Sequence, residues 1–287
     1  MKFRYLIPYI VIAVFLYQFA KDSLSYSSPF FVMGTRYLIA GLFLLLISRR
    51  FLFNRDTIIL SLLTTSSTVL WAYGLVYVSP ADSAVLSYTM PLISIFSSWA
   101  LLNEKATLKE VVGAVIGFSG VVIFSIRLLT GFLLLGSVLT LVNAIFWSLY
   151  SVYFRKMKEN DPVSVVGSQF LLGSLFMLIL SPIGFKLSFT GEFVIDLLYL
   201  SLLGGVAQFL LWDLMLREEK MNIVTTSIFA VPALTMLVQA LETLTAPSVL
   251  AIVGVAIMFL GIYISQSVNK PEALMRSKTN SSTAQKE

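Results

Sequence analysis

The chain has 287 residues, of which 57% are hydrophobic and only 12% charged, and it carries a formal net charge of +5. A soluble domain has about one quarter charged residues, so a water-soluble core of this composition would lack its polar shell. Cys and His are both absent, which excludes disulfides, thiolate metal sites, Cys nucleophiles, Ser-His triads and histidine pH switches.

The apolar residues fall in runs of about 18–22 between short charged connectors, the length that crosses roughly 30 Å of hydrocarbon. A β-barrel would need segments of about ten alternating residues instead. The pattern predicts an all-α membrane protein with spans at 5–20, 30–47, 57–78, 82–102, 108–126, 131–153, 162–181, 194–215, 222–242 and 247–267. The first run has the basic start of a cleaved signal peptide. However, no small-x-small site precedes Lys21 and the run has a counterpart later in the chain, so it is read as a span. With a cytoplasmic N-terminus, sixteen Lys and Arg residues face inside and three (Lys21, Arg127 and Lys186) face outside. That asymmetry predicts both termini in the cytoplasm, with a disordered polar tail over 269–287.

The chain repeats itself. Trp71, Pro91, Val112, Gly113, Ile116, Phe118 and Gly120 recur 141 positions later as Trp212, Pro232, Val253, Gly254, Ile257, Phe259 and Gly261. Tyr17, Pro29, Gly34 and Leu38 recur 133 positions later as Tyr150, Pro162, Gly167 and Leu171. The change of offset marks a longer connector between spans seven and eight. Five spans per copy place the second copy upside down, so the expected architecture is ten transmembrane helices as two inverted five-helix repeats, 1–127 and 128–268. This is the plan of secondary transporters.

On these residues the chain resembles the drug/metabolite transporter superfamily, in its ten-helix EamA-type branch, over about residues 4–267. The resemblance rests on Arg36-Tyr37 followed by Ala40-Gly41, on Pro91, on Asn103-Glu104, and on Gly113 with Gly120. The second copy keeps Pro232, Gly254 and Gly261 but has Thr245 in the place of Glu104 and Gln169 in the place of Arg36. The resemblance implies a carrier that exports a small metabolite such as an amino acid across the cell membrane. It also implies that Glu104 braces the turn into the fifth span as a cap.

Arg36 lies inside the second span, where an Arg costs roughly 2.5–3.5 kcal/mol to insert. It suits either an anchor for a substrate carboxylate or a structural tie to a helix C-terminus. Gln169, its counterpart, is grouped with it. Glu242 and Asp213 are the carboxylates able to carry a proton for coupling, or else reach headgroup water. Pro91 and Pro232 each remove a backbone hydrogen bond mid-span and predict kinks along a solute path. Trp71, Trp212, Tyr88, Tyr17 and Tyr150 can stack on a substrate or pack the bundle. The predicted cavity lies among spans one, three, four, six, eight and nine. The run Thr64 to Thr68 reads as small-residue packing ahead of a solute path, and Asp82 as a helix N-cap. Gly113, Gly117, Gly120, Gly254 and Gly261 suit close helix contact, within one half or between two copies in a homodimer. The partners expected are a small-molecule substrate and the lipid bilayer, with no nucleic acid and no cofactor. No catalytic cluster, metal motif or nucleotide-binding motif is present, so a membrane enzyme is disfavoured. A channel and a lipid translocator stay open.

Overall fold

The computed structural model describes residues 3–102, 107–129, 131–157, 159–218, 224, 228 and 230–266. These residues are helical almost throughout, and an isolated bridge from Ser27 to Leu187 is the one β-pairing among them. Eight helical segments are long and apolar enough to cross a membrane, and two shorter apolar helices follow.

The first three spans are α1 (Phe3–Tyr26), α2 (Pro29–Ser48) and α3 (Arg55–Tyr77). The fourth is broken into α4 (Pro80–Ser87) and α5 (Met90–Leu102), and the fifth is α6 (Leu108–Ser125). Then come α7 (Gly131–Lys156) and α8 (Pro162–Leu180). The eighth span joins α9 (Gly191–Leu198) to α10 (Gln208–Glu218) through a π-helical stretch, Tyr199–Ala207. The ninth and tenth are α11 (Ala230–Thr243) and α12 (Val249–Gln266). The predicted start of the ninth span, the tail 269–287 and Glu104 all lie outside the described residues.

Local chemistry sets the helix starts. Pro29, Pro80 and Pro162 occupy first-turn positions, where a missing N–H costs nothing. Asn54, Asp161 and Thr190 cap α3, α8 and α9 by accepting a backbone N–H three residues on. At α4 the cap is Ser79, not Asp82. Asp82 sits three residues inside, takes the Ser79 hydroxyl at 2.8 Å and forms an ion pair with Arg127. The cap of α6 is a Thr107–Glu110 capping box. The first span runs six residues past its predicted end because Lys21 is not a connector residue. Its ammonium donates to the carbonyls of Leu75, Val76 and Val78 at 2.7, 3.0 and 3.1 Å, closing the C-terminal end of α3.

The helices pair across the chain. α2 packs along α8, α6 along α12, and α3 along α7, while α1 runs against α9–α10 and α11. The tightest of these contacts uses the repeated glycines. A methyl group built on Gly120 would lie 2.5 Å from the Gly254 carbonyl oxygen, and one on Gly254 would lie 2.7 Å from that of Gly120. Gly113 and Gly261 meet in the same reciprocal way. Gly113, Gly120, Gly254 and Gly261 therefore join α6 to α12 within one chain, while Gly117 faces Leu92 of α5.

Candidate functional site

A cavity opens among α1, α3, the α4–α5 break, α7, α10 and Ile228, the six spans named from the sequence, with Arg36 of α2 reaching in. The space open to the centre of a water-sized sphere is about 90 Å³, several times the roughly 10–15 Å³ that one water needs. Its wall is aromatic over much of its area: Tyr9 and Tyr17 from α1, Trp71, Tyr88, Trp147 and Phe209. The polar groups are Arg36, Ser67, Thr68, Ser87, Asn143 and Gln208.

Arg36 is held by the backbone of the eighth span. Its Nε donates to the Leu200 carbonyl at 3.0 Å and one Nη2 proton to the Gly204 carbonyl at 2.9 Å. Both acceptors lie in the π-helical stretch, whose wider winding changes which carbonyls the helix itself uses. The approach needs Gly204, because a Cβ there would overlap the Leu16 side chain and stand 3.4 Å from Arg36 Nη2. The guanidinium carbon is 5.9 Å from the Trp71 ring centre. Among the described residues no carboxylate comes within ion-pair distance of Arg36, which is only 3% exposed.

Three cavity side chains form a polar bridge. The Ser67 hydroxyl donates to Asn143 Oδ1 at 2.6 Å, and Asn143 Nδ2 donates to the Ser87 hydroxyl at 3.2 Å, tying α3, α7 and α4 together. Tyr9 lies near Gln208 and Tyr88, and Tyr17 near Ser87. Two buried atoms on the wall have no protein partner: the Trp71 indole N–H and the Gln208 side-chain oxygen.

The wall draws on equivalent positions of the two copies. At the 141-residue offset Ser67 corresponds to Gln208, Thr68 to Phe209, and Ser87 to Ile228, and all six line the cavity. The residue types at these positions are unlike: two hydroxyls of the first copy, Thr68 and Ser87, have Phe209 and Ile228 as their counterparts.

Of the residues singled out from the sequence, Arg36, Tyr17, Trp71 and Tyr88 stand on the wall. Tyr150, Gln169 and Trp212 lie just behind it. Gln169 donates to the Tyr150 hydroxyl at 3.0 Å, Trp212 donates its indole N–H to Ser151 at 3.2 Å, and Trp147 stacks near both rings. Pro91 does not kink a continuous helix: it stands in the first turn of α5, after the break at Tyr88 and Thr89. Pro232 stands in the described first turn of α11, and Ser87 and Ile228, the equivalent positions before the two prolines, both line the cavity. Asp213 is off the wall and paired to Arg217, whose Nε donates to it at 2.6 Å while Nη2 donates to the Asn160 carbonyl. Glu242 is exposed in the last turn of α11. Within the threonine run, Thr64 and Thr68 bond the Tyr37 hydroxyl at 2.9 and 2.5 Å, while Ser67 and Thr68 face the cavity. Asn143, Gln208, Trp147, Tyr9 and Phe209 were not singled out. Asn143 and Gln208 carry a readable signal, since each is an amide inside an apolar run.

Comparison with known proteins gives a consistent picture. An uncharacterized transporter of Acidianus ambivalens is 50% identical over 240 residues, covering 84% of this chain and 94% of its own. An uncharacterized transporter of Bacillus subtilis is 24% identical over 283 residues, covering 93% and 92%. A protein of known crystal structure superposes with a TM-score of 0.74 at 19% identity, over 93% of this chain and 97% of that one, a likeness of fold alone. The model of the EamA-like transporter family matches twice, over residues 5–126 and 134–266. The chain belongs to the EamA-like transporter family and is a multi-pass membrane transporter.

Proposed function

We propose that the protein is a secondary carrier, not an enzyme, that moves a small metabolite across the cytoplasmic membrane by alternating access. Export of a carboxylate-bearing solute such as an amino acid is the direction and class to test first. The observation that carries this reading is the cavity itself, walled by equivalent positions of two sequence copies and holding one cationic donor, Arg36. The helix pairing supports inverted halves. α2 with α8 and α6 with α12 each join an element to its own counterpart, α4 packs on α11 of the counterpart span, and α3 on α7 mirrors α10 on α1. Two such halves can exchange conformations about a fixed central site. The distribution of Lys and Arg supports a cytoplasmic position for both termini.

Counterflow in proteoliposomes tests the reading. Vesicles preloaded with unlabelled amino acids should take up labelled amino acid in a saturable, trans-accelerated way, and a Trp71→Ala variant should lose it. Flux that does not saturate and shows no trans-acceleration points to a channel and defeats the carrier. Movement of a labelled phospholipid in its place points to a lipid translocator.

A further inference from the structure

We infer that the cavity selects a small organic monoanion, a carboxylate on an apolar or aromatic skeleton with one hydroxyl donor, over the zwitterionic amino acid of the same skeleton. The inference rests on the carrier reading above and narrows its substrate.

The first ground is charge. Arg36 is the one charged side chain among the described residues of the wall, and no described carboxylate pairs with it. A cation kept in a dry site without a counter-charge is stabilised most by a bound anion. A ligand ammonium would meet no carboxylate on this wall and would share the cavity with a like charge.

The second ground is the inventory of unused donors and acceptors. A guanidinium has five N–H groups, and two of those of Arg36 are directed to the Leu200 and Gly204 carbonyls. Its Nη1 faces only the Met33 sulfur, at 3.8 Å. The Trp71 ring centre is 5.9 Å from the guanidinium carbon, and its indole N–H is buried without a protein partner. A carboxylate, with two acceptor oxygens, is the group that can take both kinds of donor. The unpaired acceptor is the Gln208 oxygen, which one hydroxyl proton satisfies. The remaining wall, with Trp147, Phe209 and Ile228, suits an apolar body.

The test uses matched skeletons. The purified protein is titrated with 3-phenyllactate, phenylalanine and phenethylamine, and with 2-hydroxy-4-methylpentanoate and leucine, reading the fluorescence of its tryptophans. The hydroxy acid should bind at least about tenfold tighter than its amino acid, the factor that one charged hydrogen bond carries. Arg36→Gln should erase that ratio. Because Arg36 also ties α2 to the eighth span, Trp71→Phe serves as a milder second variant. It keeps the ring, removes the N–H, and should weaken the carboxylates several-fold while leaving phenethylamine unchanged. Equal or tighter binding of phenylalanine, or a preference for phenethylamine, overturns the inference and leaves the carrier reading standing, since the preferred compound would still show counterflow. No binding of any of the five by a folded protein also overturns it. Counterflow with unrelated solutes then decides the carrier reading separately.

Discussion

The α6–α12 seam gives a sharp stability test. A Cβ placed on Gly120 would sit 2.5 Å from both the Gly254 oxygen and the Met258 nitrogen. Ordinary contact begins near 3.4 Å, and the opposing atoms are backbone, so relief requires the two helices to move apart. Overpacking of this kind costs about 1–3 kcal/mol, and the separation would also loosen the reciprocal Gly113–Gly261 contact about two helical turns away. Gly117 lies on the same helix as an internal control. The atoms nearest its added Cβ are those of the Leu92 side chain, at 2.9 Å and 3.0 Å, and a leucine can change rotamer for less. Gly120→Ala and Gly254→Ala should therefore each lower the thermal unfolding midpoint in detergent by several degrees, at roughly 2–4 °C per kcal/mol. Gly117→Ala should lower it by less than half as much. The double variant Gly120→Ala/Gly254→Ala should cost less than the sum of the singles, because both relieve the same seam. Equal midpoints for Gly120→Ala and Gly117→Ala would refute the claim that backbone contact holds the two halves together here.

Lys21→Met should destabilise the protein by roughly 1–2 kcal/mol, because three carbonyls at the end of α3 lose a cationic donor; a midpoint matching wild type would show that water replaces it freely. Asn143→Leu breaks the Ser67–Asn143–Ser87 bridge and should reduce counterflow about tenfold in protein that still unfolds cooperatively. For Asp161, burial alone would push the carboxyl up. The bonds it accepts from the Ser164 hydroxyl and N–H, with Arg217 nearby, hold it below the usual carboxylate range. A depressed folded value contributes stability above the unfolded pKa of about 3.9 and loses it as pH falls through the folded value. Asp161→Asn should accordingly flatten the fall in unfolding midpoint below about pH 4, and an unchanged slope would remove the cap from that role.

What could be read in the chain, and what could not, divides along physical lines. Span existence follows from burial in lipid, which needs only a long apolar run, and nine of the ten predicted runs coincide closely with observed spans while the ninth is described from Ala230 onward. Span ends depend on which polar group closes which helix. Lys21 looks like a connector residue until its partners, more than fifty positions away, are known. The same limit hid the cap at Ser79 and the Asp82–Arg127 pair. At the site, the large or charged residues Arg36, Trp71, Tyr88 and Tyr17 stood out because their side chains are costly or distinctive in an apolar run. Ser67, Ser87 and Thr68 did not, because a hydroxyl that bonds its own helix looks the same in sequence as one that faces a cavity.

The departure of the second copy from the first is the most informative feature of the site. Arg36 has Gln169 as its counterpart, and the two side chains do different work. Gln169 stays within its own half, on the Tyr150 hydroxyl, whereas Arg36 crosses to two carbonyls of the eighth span. The segment that receives Arg36 is the π-helical stretch, and its counterpart in α3 winds as a regular helix. The two irregularities therefore occur together: a cation that needs acceptors, and a helix wound so as to present them beside Gly204. The indoles follow the same rule. Trp212 is satisfied by Ser151, and Trp71, next to Arg36, is left open. A purely symmetric pair of halves would build a cavity with no preferred end. Here the wall holds one cation and one buried, unpaired indole N–H, and positions 209 and 228 carry Phe and Ile where the first copy has Thr68 and Ser87. A wall of such unlike halves favours one orientation of a bound solute over the other. In the carrier proposed above, the halves would move around a solute held in that orientation.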